Sequence, residues 1–136
     1  MEIKKALVTG GGGFLGKAIV KKLVKKNIDV VSFSRGFYPE LDKMGVGQIQ
    51  GDLAVREDVI QALDGMDTVF HVAAKPGIWG PYDEYYSINV TGTIHVIEAC
   101  RENKVERLIH TSSPSVVFDD NDMENADESV PYPDTY

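Results

Sequence analysis

The residues best suited to chemistry in this chain are a run of glycines near its start: Val8-Thr9-Gly10-Gly11-Gly12-Gly13-Phe14-Leu15-Gly16. Gly10, Gly13 and Gly16 are evenly spaced, after a β-branched run and before a stretch of helical periodicity. In that setting the first glycine permits a tight turn and the second lets backbone approach a pyrophosphate. The third lets the helix pack closely on the sheet. The helix start then offers unpaired N–H groups and the positive end of its dipole to phosphates. A flexible turn is the plain alternative. No Gly-Lys-Ser/Thr follows, which excludes a P-loop.

The next apolar run, Asp29 to Phe33, ends in Ser34-Arg35-Gly36. An acid at that point would accept from the ribose 2′-hydroxyl of NAD, whereas an arginine accommodates a 2′-phosphate. Arg35 therefore points to NADP, with NAD as the alternative and a solvated loop arginine as the plain reading. Other residues have plain readings too. His71, on an apolar strand, reads as a core histidine, and Asp52 could cap the following helix. Asn89 could be an ordinary helix-start residue, and Cys100 reads as core. Trp79, Tyr82, Tyr85 and Tyr86 either line a pocket or cover a loop.

Positioning these groups requires a regular scaffold, and the chain supplies one. Short β-branched runs are expected as strands at 3–9, 29–34, 46–50, 68–74 and 107–112. Longer stretches of helical spacing lie between them. Leu15, Ile19, Leu23 and Val24 form an apolar stripe opposite Lys17, Lys21, Lys22, Lys25 and Lys26. Val59, Ile60 and Leu63 suggest a short helix opened by Glu57 and Asp58. The longest helix is expected over 88–103, with Ile94, Ile97 and Cys100 on its inner face. Strands that are apolar throughout fit a sheet covered on both faces. Their alternation with helices implies right-handed βαβ units in a parallel α/β sheet. After Phe118 the pattern dissolves into loop.

Bulk properties narrow the function classes. The net charge of −7 arises wholly in the tail, at Asp119, Asp120, Asp122, Glu124, Asp127, Glu128 and Asp134, because residues 1–118 carry 14 basic and 14 acidic side chains. A body of zero net charge argues against nucleic acid as the main partner. No apolar run approaches the roughly 20 residues of a membrane span. A single cysteine rules out an intrachain disulfide, and no metal site is expected. With no signal-peptide pattern at the N-terminus, a cytoplasmic location is the default expectation.

Four further segments, in order along the chain, make it resemble the extended short-chain dehydrogenases, also called the NAD-dependent epimerase/dehydratase family. They are Gly51-Asp52-Leu53, His71-Val72-Ala73-Ala74, Tyr85-Tyr86-Ser87-Ile88-Asn89-Val90-Thr91-Gly92-Thr93 and Thr111-Ser112-Ser113. Within it, the likeness is to the 3-beta-hydroxysteroid dehydrogenase branch, carried by Ala73-Ala74-Lys75-Pro76-Gly77-Ile78-Trp79-Gly80 and by Thr111 to Phe118. Bacterial reductases of beta-keto alkyl acids are similar as well.

The resemblance implies a doubly wound Rossmann sheet that holds NAD(P). It implies cofactor contacts from Gly10, Gly13, Phe14, Leu15, Gly16, Ser34 and Arg35. Asp52 and Leu53 would meet the adenine, and Val72, Ala73, Ala74 and Lys75 would line the cofactor. Asn89 would support the site, with Thr111 and Ser112 beside the catalytic Ser113. In the family's reaction the serine helps polarise a carbonyl. A tyrosine passes the proton, helped by a lysine four residues on, and the nicotinamide carries the hydride.

That tyrosine–lysine pair is absent from the chain. The residues four after Tyr38, Tyr82, Tyr85, Tyr86 and Tyr132 are Asp42, Tyr86, Asn89, Val90 and Tyr136. Tyr136 stands earlier than the catalytic tyrosine of relatives with a similar Pro-Tyr-Pro approach. The expectation is therefore an incomplete core over 1–118, truncated after about the fifth strand. An acidic loop over 119–136 would lead toward the missing segment. This polypeptide alone is expected not to turn over, and its unpaired apolar edge makes the fold marginal. The resemblance implies a small ketone or alcohol substrate and a homodimer through the 88–103 helix. A nucleotide-sugar epimerase or dehydratase is one alternative, and a non-catalytic NAD(P) sensor or scaffold is another.

Overall fold

A computed structural model describes residues 2–118 and 123–134. Asp119, Asp120, Asp122 and Tyr136, singled out above, lie outside them. The described strands are β1 (Lys5–Thr9), β2 (Asp29–Ser34), β3 (Gly47–Gln50), β4 (Thr68–His71) and β5 (Arg107–His110). They form one sheet in the order β3-β2-β1-β4-β5, and every pairing is parallel. The direction of winding reverses between β1 and β4. At such a switch point the carboxyl ends of two strands diverge and leave a crevice.

β1 shows why the sheet sits where it does. Ala6, Leu7 and Val8 have no solvent exposure, because strands flank β1 and helices cover both of its faces. Its side chains alternate between two cores. Leu7 joins Phe33, Val59, Leu63, Val69 and Val96 beneath α3 (Arg56–Ala62) and α5 (Gly92–Glu102). Ala6 and Val8 join Val20, Leu23 and Leu41 beneath α1 (Phe14–Lys25) and α2 (Pro39–Lys43). The doubly wound parallel sheet is thus present as expected.

Several expected boundaries and faces differ. β4 stops at His71 rather than Ala74, because the N–H groups of Val72 and Ala73 turn to the Thr9 hydroxyl at 3.0 and 3.1 Å. β1 starts at Lys5 rather than Ile3, since the Lys4 and Lys5 N–H groups are held by the Asp67 carboxylate. β5 stops at His110, short of Thr111 and Ser112. On α1 the buried residues are Gly16, Val20 and Leu23, while Leu15 is 44% exposed and faces the crevice.

The expected 88–103 helix begins earlier. A helical turn at α4 (Tyr82–Tyr85) runs into a π-helical segment, Tyr86–Thr91, and then into α5. The extra residue per turn rotates the face of everything after it. Within α5, Gly92, Val96, Ala99 and Cys100 are the buried face, and Ile94 and Ile97 point outward. Cys100 is core, as read from the sequence, and its thiol pKa is raised to about 11 by burial. Among the described residues no helix is long and apolar enough to cross a membrane.

Candidate functional site

A cleft of about 800 Å³ opens at the carboxyl ends of β1, β2, β3 and β4. The glycine run forms its floor. Gly10 turns the chain out of β1 with a left-handed φ of 70°, and its N–H is anchored to the Phe33 carbonyl at 2.9 Å. Gly16 lies against the Gly10 carbonyl so closely that a methyl group there would overlap backbone. Between them, a methyl on Gly13 would meet, among the described residues, only the Gly10 carbonyl oxygen, at 3.3 Å, and otherwise occupy the open cleft. Among the described residues no side chain caps the start of α1. The first N–H groups of that helix, at Phe14 and Leu15, thus face the cleft without an intrahelical partner. A phosphate-sized anion fits this cradle by both shape and donor chemistry.

Around that floor the cleft gathers most residues singled out from sequence. Gly10, Gly13, Phe14, Leu15, Gly16, Ser34, Arg35, Asp52, Leu53, Val72, Ala73 and Ala74 all line it. Arg35 is exposed there, and among the described residues its guanidinium makes no ion pair. Asp52 does not cap α3, whose first turn follows Val55. Its Oδ1 accepts from the Ala54 N–H at 2.9 Å, and its own N–H donates to Asp58 at 3.0 Å.

Lys75 and Asn89 stand behind the lining rather than in it. The Asn89 side chain takes both main-chain groups of Lys75: the N–H donates to Oδ1 at 2.8 Å, and Nδ2 donates to the carbonyl at 3.1 Å. The Lys75 ammonium pairs with Glu84 at 2.7 Å. Beyond Lys75, the loop is held by the Tyr85 hydroxyl, which donates to the Trp79 carbonyl at 3.0 Å. Ile78 and Trp79 are fully or almost fully exposed at its tip.

His71 is buried and ties these parts together. The Thr9 hydroxyl oxygen accepts from the Val72 and Ala73 N–H groups, so its single proton goes to His71 Nδ1 at 2.8 Å. The neutral ring therefore carries its proton on Nε2, which donates to the Thr93 hydroxyl at 3.0 Å. Thr93 in turn donates to the Asn89 carbonyl at 2.7 Å. Burial, and then the neighbouring His110, push the His71 pKa down to about 4. The core reading of His71 holds.

Thr111, Ser112 and Ser113 are exposed at the end of β5, outside the cleft lining. Thr111 remains bonded to β4 through its N–H and the His71 carbonyl at 3.0 Å. Ser113 Oγ lies 2.8 Å from Ser115 Oγ and accepts the Ser115 N–H at 3.3 Å, opening the short 3-10 turn Pro114–Val117. The cleft also uses Phe33, Gly36, Tyr38, Gly51, Pro76 and Ile88, which sequence reasoning did not name as site residues. Gly51 precedes a named pair, and its position at the end of β3 was a usable signal. Tyr38 had none, because only folding brings its ring over Gly12.

Residues 7–136 match the 3-beta hydroxysteroid dehydrogenase/isomerase family. The chain is 49% identical over 131 residues to a 2-alkyl-3-oxoalkanoate reductase from Shewanella oneidensis, covering 96% of this chain and 34% of that protein. It is 39% identical to the sterol-4-alpha-carboxylate 3-dehydrogenase, decarboxylating, of Homo sapiens, over 96% of this chain and 35% of the relative. Among solved structures it resembles UDP-glucose 4-epimerase from Thermus thermophilus in complex with NAD. That likeness has a TM-score of 0.84 and 28% identity, over 95% of this chain and 44% of the other. The chain thus spans about a third of the length of the curated relatives it matches.

Proposed function

This chain belongs to the 3-beta hydroxysteroid dehydrogenase/isomerase family, and from that premise we propose that it is the nicotinamide-dinucleotide-binding part of an oxidoreductase interconverting a hydroxyl and a ketone. The relatives named as reductases and dehydrogenases support this reading. Its substrate is a small ketone or alcohol of the 3-oxoalkanoate or sterol kind. The bound cofactor supplies the redox chemistry when present.

The chain's own residues hold that cofactor. The N–H groups at the start of α1 bind the pyrophosphate, with Gly13 giving the room it needs. Asp52 and Leu53 meet the adenine, and Val72, Ala73 and Ala74 flank the other end. Asn89 keeps Lys75 and the loop after β4 in place through its paired hydrogen bonds. Ser113 offers a hydroxyl to the substrate carbonyl.

The observation that carries the choice of cofactor is Arg35. It is a cation without an ion-pair partner among the described residues, on the cleft wall at the end of β2, where no acid stands. That is the place for a 2′-phosphate, so the cofactor is NADP. The same residues favour a reductase over a nucleotide-sugar epimerase. Titration of the chain with NADPH and NADH, with and without Arg35→Ala, tests the assignment. Equal affinities, both untouched by the substitution, would overturn it.

The cofactor-binding core is assigned to residues 1–118 of the sequence. With no Tyr-x-x-x-Lys among its 136 residues, this polypeptide binds cofactor without turnover. Val90, Ile94 and Ile97, outward-facing on the 88–103 stretch, supply an apolar surface for a second copy.

A further inference from the structure

β3 is one of the two edge strands of the described sheet, and it carries two glutamines, Gln48 and Gln50, two residues apart. That spacing puts both side chains on the same face. A glutamine amide carries both a donor and an acceptor, so it can substitute for a strand partner. Gln48 does so. The Tyr38 N–H donates to its Oε1 at 2.8 Å, and its Nε2 donates to the Tyr38 carbonyl at 3.0 Å. Gln50 Nε2 donates to the Arg35 carbonyl at 3.2 Å. The Ser34 hydroxyl donates to the Gly36 carbonyl at 3.1 Å. The loop from β2 to α2 is thereby tied through its main chain at Arg35, Gly36 and Tyr38.

Those three residues also line the cleft. The loop is fastened by its backbone, and the Arg35 guanidinium is left available. At the far end of the loop, the Tyr38 ring rests on Gly12, where a methyl group would overlap it. The loop at the ribose end of the cleft therefore touches the glycine run at the phosphate end. A loop held in its binding conformation before the ligand arrives avoids the ordering cost of association.

We infer that Gln48 and Gln50 are positioning residues for the loop that reads the 2′ position of the adenosine ribose. They preset Arg35 and Tyr38 while touching no part of the cofactor themselves. This role rests on the cofactor reading above, but not on which of the two cofactors is preferred.

The test is calorimetric titration of the whole chain with NADPH and with NADH. The variants are Gln48→Leu, Gln50→Leu, Arg35→Ala and the Arg35→Ala/Gln50→Leu double. The two cofactors differ only in the 2′-phosphate, so the ratio of their affinities is blind to general destabilisation. Each glutamine variant should shift that ratio by about 3- to 10-fold, the equivalent of one or two lost hydrogen bonds. Gln50→Leu should shift it no further once Arg35 is gone. An unchanged ratio, or equal weakening of both cofactors, would overturn the inference. If Gln50→Leu does not fold, Gln50→Met, which keeps the length and stays uncharged but loses the donor, replaces it. A wild-type chain that prefers NADH overturns the NADP assignment alone, because the movement of the ratio still decides the role of the glutamines.

Discussion

The Thr9 hydroxyl donates to His71 Nδ1 at 2.8 Å, joining the carboxyl ends of β1 and β4 across 62 residues of sequence. The direction of that bond matters as much as its length. An imidazolium would set a second N–H donor against a hydroxyl oxygen already filled by the Val72 and Ala73 N–H groups. The crossing point of the fold thus depends on His71 staying neutral.

Stability should consequently decline in mild acid. His71 has a folded-state pKa of about 4, below its ordinary 6.5, so the unfolded chain takes up a proton that the native ring refuses. The contribution is intact above pH 6.5 and is lost as pH falls toward 4, by on the order of 3 kcal/mol. Urea unfolding between pH 7.5 and 4 measures this. His71→Gln should flatten the slope over that window, and an equal slope in both proteins would refute the assignment.

Arg35→Ala should weaken NADPH binding by about 10- to 100-fold, the loss of charge-assisted hydrogen bonds, and leave NADH nearly unchanged. Calorimetry on the purified chain reads both affinities.

Gly16→Ala should destabilise the fold by about 1–3 kcal/mol and remove cofactor binding, because its methyl would overlap the Gly10 carbonyl. Gly13→Ala has, among the described residues, only the Gly10 carbonyl oxygen to disturb and an open cleft beyond it. It should keep its melting temperature within a few degrees while losing cofactor affinity. Thermal melts beside titrations separate the two.

Asn89→Leu removes both side-chain bonds to the Lys75 main chain. Hydrogen exchange over residues 75–80 should rise about tenfold or more, with little change in β1. Uniformly faster exchange would show a general loss of stability instead.

The purified 136-residue chain, supplied with NADPH and a 3-oxo acid or 3-keto sterol, should show no ketone reduction above background. Steady NADPH consumption that disappears in Ser113→Ala would contradict the reading that a tyrosine–lysine pair is required.

The sheet, its winding and the cleft floor were legible because each rests on local pattern. Buried strands read as apolar runs, and the spacing of Gly10, Gly13 and Gly16 states a backbone requirement directly. What escaped depends on contacts between distant residues. Within α5 the face carrying Val96, Ala99 and Cys100 packs into the core, and Ile94 and Ile97, equally apolar at helical spacing, fall outside it. β4 ends three residues before its apolar run does, because a threonine hydroxyl on another strand captures the N–H groups of Val72 and Ala73. Tyr38, Gln48 and Gln50 carry no sequence signal, since their roles exist only once β3 lies beside β2.

The strand order β3-β2-β1-β4-β5 also has a consequence in time. Of the five described strands, the one made earliest occupies the centre of the sheet, and β2 closes one of its sides soon after synthesis. The other side waits until the ribosome has added the 62 residues that separate Thr9 from His71. At ordinary rates of translation that interval is roughly 3–12 s. Through those seconds the nascent chain presents an open apolar ladder along Ala6, Leu7 and Val8. A chaperone that shields emerging β1 should therefore matter most for yield before Thr68 to His71 have been made.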